Sequence, residues 1–321
     1  MKTAAEEIEH NRIDPHLAEA LRSLFGERLQ ERVKLDRLSS AKVGGVADFL
    51  LVCSSSSQLE ADIRQLWAQE LPFKLLGGAS NVLISEQGVQ GLVLVNHARE
   101  IRVKAQATPP SIWAESGALL SLMVKKAATA SLSGLEWGTS LPGTLGGAIY
   151  GNAGAFGSEI SQNLIVAEIL HRIDGKQYWT GKEFLFEYRS SVLKRQPNLE
   201  VVILSAELEL RAGEEENIYA AMQEVETRRF KKQPPGACTG SMFKNPPGDF
   251  AGRLIEAAGL KGTKVGDVEI SQKHGNFFIN NGNGTANDFK TLIDITRRAV
   301  QEQFGVSLEL EVELIGEWES D

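Results

Sequence analysis

The sequence predicts an α+β fold, because short β-rich segments alternate with amphipathic segments that have the period of a helix. The chain has 321 residues, 42% hydrophobic and 24% charged, which is the composition of a globular protein of about two domains. Its 31 glycines are concentrated in two regions, with eight at residues 134–157 and ten at residues 236–284. We therefore expect tight turns and close backbone approaches in both regions.

Composition also excludes several classes of protein. No apolar run approaches the ~18 residues of a membrane span, and Met1–Glu7 contains acids where a secretory signal would be apolar. Cys53 and Cys238 are too few for a disulfide scaffold or a zinc site, so we expect no metal site and a cytoplasmic location. Residues 301–321 hold seven acids and no Lys or Arg, so nearly all of the net charge of −8 lies there and anionic ligands are not excluded.

The first half of the chain is predicted to begin with a helical appendage at residues 1–33. Short apolar runs then predict strands at residues 48–52, 74–76, 82–84 and 92–95. Ser57 and Glu60 match the S-x-x-E capping box, so a helix is expected from Ser57 to about residue 70. An amphipathic pattern predicts another helix at residues 119–130.

The second half is predicted to contain strands at residues 165–173 and 201–210, followed by a helix at 214–229. That helix has acids in its first turn and bases in its last, as the helix dipole favours. Further helices are expected at 254–258 and 286–304, and a closing strand at 308–315. A domain boundary near residues 212–213 would separate residues 34–212 from residues 213–321.

Two glycine-rich loops could bind a pyrophosphate, because backbone N–H groups approach an anion closely where side chains are absent. They are residues 76–81 and residues 140–155, with Ser, Thr and Asn interleaved as further donors. Neither loop matches the dinucleotide-binding G-x-G-x-x-G pattern or a P-loop. An interpretation as ordinary turns or close strand packing stays open on composition alone.

Several motifs occur in order over residues 34–316, and together they are more specific than any one of them. They are G-A-S-N at 78–81, G-L-E at 134–136, P-G-T-L-G-G at 142–147, N-A-G at 152–154, Y-R-S-S at 188–191, G-S-M-F-K-N-P at 240–246, H-G-N-F at 274–277 and L-E-L-E-V at 308–312. The ordered set resembles the UDP-N-acetylenolpyruvoylglucosamine reductase (MurB) family. The short interval from Arg189 to Ser241 is similar to the subtype without an extra substrate-capping insertion.

The resemblance implies a two-lobed FAD-binding domain of the vanillyl-alcohol-oxidase (PCMH) type at residues 34–212 and an α+β substrate-binding domain at 213–321. It implies that NADPH reduces bound FAD and that the flavin then reduces UDP-N-acetylglucosamine enolpyruvate to UDP-N-acetylmuramate, a peptidoglycan precursor. NADPH and this nucleotide sugar are the implied partners, with no nucleic acid and no membrane span, and the oligomeric state stays open. The implied flavin contacts are Gly77, Gly78, Ala79, Ser80, Asn81, Ser140, Pro142, Gly143, Thr144, Gly146, Gly147, Asn152, Ala153 and Gly154.

The resemblance also implies three catalytic residues. Arg189 would stabilise the enolate, since a guanidinium is permanently charged and grips a carboxylate with two N–H groups. Ser241 would donate the proton, and Glu311 would hydrogen-bond the substrate carboxylate or enol. The basic run at residues 228–232 is normally a solvated helix end, but Arg229 and Lys232 could also meet the diphosphate of the nucleotide sugar, with Asn245 supplying a hydrogen bond.

The alternation of apolar and acidic residues, taken alone, predicts a solvated position and no catalytic role for Glu311. Leu308, Leu310 and Val312 alternate with Glu309, Glu311 and Glu313, as in an edge strand with one solvated face. We therefore expect Glu309 and Glu313 to be solvated and assign only Glu311 to the chemistry, on the resemblance.

The chain departs from the family pattern at three places, of which Gly78-Ala79, where two nearby glycines are common, is the mildest. Ser39-Ser40-Ala41 replaces a Thr-Thr-Phe-like stretch, and Glu313 stands where an Arg is common. Two alternatives stay open beside the reductase: another FAD oxidoreductase on the same scaffold, since a fold does not fix the substrate, and a catalytically silent binding module.

Overall fold

The structure is a computed structural model that describes residues 13–318. Residues 1–12, which belong to the predicted N-terminal helical appendage, and residues 319–321 lie outside the described residues. Within the described part, no helix is both long and apolar enough to cross a membrane.

The helices of the described chain are of very unequal length, and short 3₁₀ turns occur at Gly26–Arg28, Glu136–Gly138 and Ile160–Gln162. The α-helices are α1 Pro15–Phe25, α2 Ser56–Ala68, α3 Leu120–Thr129, α4 Leu145–Tyr150, α5 Gly181–Phe184, α6 Val192–Arg195, α7 Glu215–Lys232, α8 Ala251–Ala257 and α9 Ala286–Phe304.

The strands are short, and most belong to mixed or antiparallel sheets. They are β1 Gln30–Lys34, β2 Val46–Cys53, β3 Phe73–Leu76, β4 Val82–Ile84, β5 Val89–Asn96, β6 Ile101–Lys104, β7 Ser111–Glu115, β8 Leu132–Ser133, β9 Gly154–Ala155, β10 Ser158–Glu159, β11 Leu164–His171, β12 Gly175–Trp179, β13 Val201–Glu209, β14 Arg211–Ala212, β15 Lys264–Val265, β16 Val268–Ile270, β17 Phe278–Asn280 and β18 Glu313–Ile315.

The chain divides into two compact units. The first unit comprises the described chain up to Val52, residues Gln65–Val95, and the described chain from Pro234 onward. It contains a sheet of order β1-β2-β5-β3, an antiparallel sheet β15-β16-β17, and a parallel pair β18-β4. Helix α9 buries Phe289, Leu292 and Ile293 on one face, as its sequence period requires. Its ends are set by a Thr285–Asp288 capping box and by Gly305.

The second unit comprises Cys53–Arg64 and Asn96–Gln233. Its centre is a five-stranded antiparallel sheet of order β12-β11-β13-β7-β6. Alternate residues of these strands, such as Ile112, Ile169 and Leu208, join one buried cluster with Met123 and Val124 of α3. The predicted boundary at residues 212–213 and the predicted domains stay a prediction.

Two predictions for the N-terminal part of the chain differ from the structure. The helical pattern predicted for residues 1–33 ends at Arg28, and Gln30–Lys34 is a strand antiparallel to β2. Val33 packs against the core there, and its spacing of four from Leu29 imitates a helix. The helix predicted from Ser57 begins instead at Ser56, because the hydroxyl oxygen of Ser55 accepts the N–H of Gln58 at 3.2 Å.

The closing strand predicted at residues 308–315 is shorter than expected. Only Glu313–Ile315 forms a ladder, with β4, while Leu310 makes an isolated bridge to Phe243. Burial of the apolar positions is nevertheless as predicted at Leu308 and Val312, which lie in the core cluster that also contains Phe243.

Candidate active site

The loop at residues 77–81 joins β3 to β4 in the first unit. Ala79 has a left-handed backbone, with φ of 45°, and its carbonyl accepts the N–H of Ser40 at 3.3 Å. The N–H groups of Gly78, Ala79 and Ser80 donate to no residue between 13 and 318. A loop whose donors remain available while its carbonyls are used suits the phosphates of a dinucleotide.

The second loop, at residues 139–144 of the second unit, also combines left-handed backbone with N–H groups that have no acceptor in the described chain. Ser140 and Gly143 have φ of 60° and 117°, and neither they nor Thr144 donate a backbone N–H to any part of the chain that the structure describes. The buried hydroxyl of Thr139 also lacks a hydrogen-bond partner among the described residues. A buried hydroxyl without a partner costs about 1–3 kcal/mol, so this stretch fits a polar ligand.

The rest of that loop is bonded within the protein. Gly146 donates its N–H to Ser116 at 2.7 Å, and Ala153 donates to Ala148 at 2.8 Å. The N–H of Gly147 reaches the hydroxyl of Thr144 at 3.5 Å. These groups shape the loop, and their contact with flavin stays a prediction.

Arg189 lies in a tight turn that is fixed to this loop. Glu187 and Ser190 exchange backbone hydrogen bonds of 3.0 and 3.1 Å, which hold Arg189 at a φ of 54°. The guanidinium donates to the carbonyl of Gly154 at 2.6 Å, and the buried side chain of Asn152 donates to the carbonyl of Glu187 at 2.9 Å. A left-handed non-glycine residue costs ~1–3 kcal/mol and is frequent at functional sites.

Ser241 lies in an extended segment of the first unit, directly after a turn at Gly240, whose φ is 81°. No atom lies within 4 Å of a Cβ at Gly240, so glycine is required there by backbone conformation and not by space. Met242, the next residue, accepts the N–H of Glu311 at 2.9 Å. The structure thus brings Ser241 and Glu311, both half-buried, onto neighbouring segments.

Asn276 holds this segment from its other side, and it was not assigned a role from the sequence. Its buried carboxamide accepts the N–H of Phe243 at 2.9 Å and donates to the carbonyl of Phe243 at 2.7 Å. Its backbone carbonyl accepts the N–H of Met242 at 2.9 Å. The motif H-G-N-F contains this residue, and a polar side chain between glycine and phenylalanine was the available signal.

The other residues around Ser241 have partners of their own. The ammonium of Lys244 pairs with Glu309, whose side chain is 72% exposed, so solvation of Glu309 is as predicted. Glu313 is half-buried and not on a solvated face, because its strand pairs with β4. The Oδ1 atom of Asn245 accepts the N–H of Ala251 at 3.1 Å, at the start of α8.

The two basic residues predicted to bind substrate lie at the end of α7. Burial lowers the pKa of the Arg229 guanidinium, and no carboxylate pairs with it within residues 13–318. Lys232 is exposed in the last turn. A half-buried guanidinium without a counter-ion favours an anionic ligand, since an unpaired buried charge is costly. The predicted site residues thus form two groups, one in each unit.

Two family models match segments of the chain. Residues 47–181 match the family model of an FAD binding domain, and residues 232–315 match that of the UDP-N-acetylenolpyruvoylglucosamine reductase C-terminal domain. The protein is therefore a flavoprotein of the FAD-dependent oxidoreductase class.

Relatives over almost the whole chain define the family. The UDP-N-acetylenolpyruvoylglucosamine reductase of Rubrobacter xylanophilus is 40% identical and covers 91% of this chain and 98% of its own. That of Caldanaerobacter subterraneus is 39% identical over 94% and 98%. The crystal structure of the enzyme from Thermus caldophilus aligns with a TM-score of 0.76 at 36% identity, over 89% of this chain and 99% of that one.

The chain belongs to the UDP-N-acetylenolpyruvoylglucosamine reductase family. The resemblance inferred from the ordered motifs is thus confirmed, as are the α+β fold with an FAD-binding domain and FAD as the cofactor.

Proposed function

We propose that the protein catalyses the NADPH-dependent reduction of UDP-N-acetylglucosamine enolpyruvate to UDP-N-acetylmuramate in peptidoglycan precursor synthesis. The observation that carries this proposal is the 40% identity, over 91% of the chain, to a reductase of that name. The presence of Arg189, Ser241 and Glu311 supports it further. With only two cysteines, the chain suits a reducing compartment, and we place the reaction in the cytoplasm.

The two loops with available donors would hold the cofactor. FAD, when bound and reduced by NADPH, supplies the hydride that is added to the vinyl carbon of the substrate. Residues 78–80 offer three backbone N–H groups in the first unit, and Ser140, Gly143 and Thr144 offer three more in the second. Such donors match phosphate oxygens, which accept several hydrogen bonds each.

Ser241 provides the proton that completes the reduction. Addition to the vinyl carbon leaves negative charge on the neighbouring carbon and its carboxylate, and that carbon must be protonated. The turn at Gly240 and the hydrogen bonds on both edges of the following segment fix the backbone that carries the Ser241 hydroxyl. The ammonium of Lys244, three residues further on, pairs with Glu309.

Arg189 and Glu311 stabilise the charge that develops before protonation. A preorganised donor aimed at such charge is worth ~3–4 kcal/mol. The turn at residues 187–190 fixes the position of the Arg189 backbone, so little reorganisation is needed when the charge appears. A protonated Glu311 can donate to the substrate carboxylate or enol from the segment beside Met242.

The nucleotide diphosphate is held by Arg229, Lys232 and Asn245. Arg229 contributes a half-buried guanidinium, and Lys232 contributes a second cation three residues later in α7. Asn245 uses its Oδ1 atom to start α8, so its amide N–H₂ is the group that it offers to the substrate.

We also propose that residues 34–212 form the FAD-binding domain and residues 213–321 the substrate-binding domain. The matched segments, 47–181 and 232–315, lie inside these bounds.

The test is NADPH oxidation by the purified yellow protein with and without UDP-N-acetylglucosamine enolpyruvate. We expect acceleration by the enolpyruvate, with UDP-N-acetylmuramate as the product. If the flavin is reduced by NADPH and the enolpyruvate has no effect, the protein is another FAD oxidoreductase. A colourless protein that FAD does not reconstitute would be the silent module.

A further inference from the structure

Asn81 is bonded to the backbone of Glu311 and of Glu313. Its Nδ2 atom donates to the carbonyl of Glu311 at 3.0 Å, although the two residues are 230 positions apart. Its own carbonyl accepts the N–H of Glu313 at 3.0 Å. One residue of the loop at 77–81 therefore fixes the backbone at Glu311 and Glu313 with two hydrogen bonds.

The remaining backbone group of Glu311 is bonded to the segment of Ser241. The Glu311 N–H donates to the carbonyl of Met242 at 2.9 Å. Both polar backbone groups of Glu311 are thus fixed, the N–H by the neighbour of Ser241 and the carbonyl by Asn81. The direction in which the Glu311 side chain leaves the backbone depends on both.

The contact continues into regular structure. The residue after Asn81 is Val82, which pairs with Glu313 in the parallel ladder of β4 and β18. The hydrogen bond from the Asn81 side chain to the Glu311 carbonyl lies just before the first paired residues of this ladder, Val82 and Glu313. Loss of the Asn81 side-chain bond would remove the hydrogen bond at the Glu311 carbonyl and leave the backbone bonds of Glu311 to Met242 and of Glu309 to Lys244 in place.

From this arrangement we propose that Asn81 is a positioning residue for the reduction of the enolpyruvate, through Glu311. The inference rests on the proposed function, in which Glu311 contacts the substrate. It gives Asn81 a role different from direct flavin binding: the loop that holds the cofactor also sets the carboxyl that meets the substrate. A misplacement of about 1 Å in such a group can cost up to ~10²-fold in rate.

The experiment uses the FAD-loaded enzyme and separates three quantities: FAD affinity, the rate of flavin reduction by NADPH, and the rate at which reduced enzyme is reoxidised by UDP-N-acetylglucosamine enolpyruvate. The variants are Asn81→Asp, which replaces the donor with a carboxylate of the same shape, and Asn81→Ala, which removes it without adding charge. Asn283→Asp is the matched control, because its exposed amide donates to Asp267 at 3.0 Å within the same unit.

At saturating FAD, we expect both Asn81 variants to slow reoxidation by about tenfold to hundredfold more than they slow flavin reduction by NADPH. A role in general stability would slow both half-reactions alike and would overturn the inference. So would weakened FAD binding with normal reoxidation at saturating FAD, since Asn81 would then be a cofactor contact only.

Glu311→Gln separates the failure of the inference from that of the proposed function. If Glu311→Gln slows reoxidation and the Asn81 variants do not, the positioning role is wrong and the role of Glu311 stands. If Glu311→Gln leaves reoxidation unchanged, the proposed role of Glu311 fails and the inference fails with it.

Discussion

Replacing Asn276 by alanine should destabilise the first unit by about 2–6 kcal/mol. The carboxamide satisfies both backbone groups of Phe243, which is 0% exposed, through bonds of 2.9 and 2.7 Å. Each buried group left without a partner costs ~1–3 kcal/mol, and two such groups give the stated range. A loss of this size is a large part of the ~5–15 kcal/mol that stabilises an ordinary domain.

Urea unfolding followed by circular dichroism, at fixed FAD concentration, measures the change. Asn283→Ala is the control, since it removes an exposed amide and should cost less than about 1 kcal/mol. Asn276→Asp should fall between the two, because it keeps the acceptor for the Phe243 N–H and opposes its carbonyl. Equal midpoints and equal slopes for Asn276→Ala and Asn283→Ala would refute the reasoning.

Three further predictions concern the proposed chemistry and charge. Ser241→Ala should leave flavin reduction by NADPH intact and slow substrate reduction by several orders of magnitude; equal loss of both in stopped-flow measurements would remove Ser241 as the proton donor. Arg229→Ala should raise the KM for the nucleotide sugar by roughly 10- to 100-fold, from a lost charge-assisted hydrogen bond, whereas Arg228→Ala, which breaks an exposed pair with a glutamate, should not. Arg253 holds the pKa of Asp249 at about 2, below its ordinary 3.8. The stability that this pair contributes is therefore present above pH ~4 and lost as the pH falls toward 2, and Arg253→Ala should raise the Asp249 pKa in an NMR titration.

The sequence located elements well where packing follows local periodicity. Helix α9 was expected at 286–304 and occurs at Ala286–Phe304, because an amphipathic stripe and a capping box act together. The start of the helix at Ser56 could not be predicted to the residue. Residues 54–57 are four consecutive serines, each of which could cap a helix, and in the structure Ser55 does so. The strand at Gln30–Lys34 was missed because its pairing with β2 is a tertiary contact that a helical spacing conceals.

The candidate site was also predictable only in part, because motifs are local in sequence and tertiary contacts are not. The ordered motifs predicted catalytic roles for Arg189, Ser241 and Glu311, whereas the alternation around Glu311 alone predicted a solvated edge. The contacts of Asn81 and Asn276 were beyond the reach of sequence patterns, because their partners are distant in the chain. The left-handed backbone conformation of Arg189 could not be predicted either, because nothing in the motif Y-R-S-S requires it.

The parallel pairing of β4 with β18 has a consequence for synthesis on the ribosome. Asn81 emerges early, but its partner Glu311 is 230 residues further along the chain. At ~5–20 residues per second, the loop at residues 77–81 is synthesised roughly 10–50 s before the segment to which it bonds. During that interval β4 has an unpaired edge, so a nascent chain stalled before Glu313 is the species that a chaperone would have to protect.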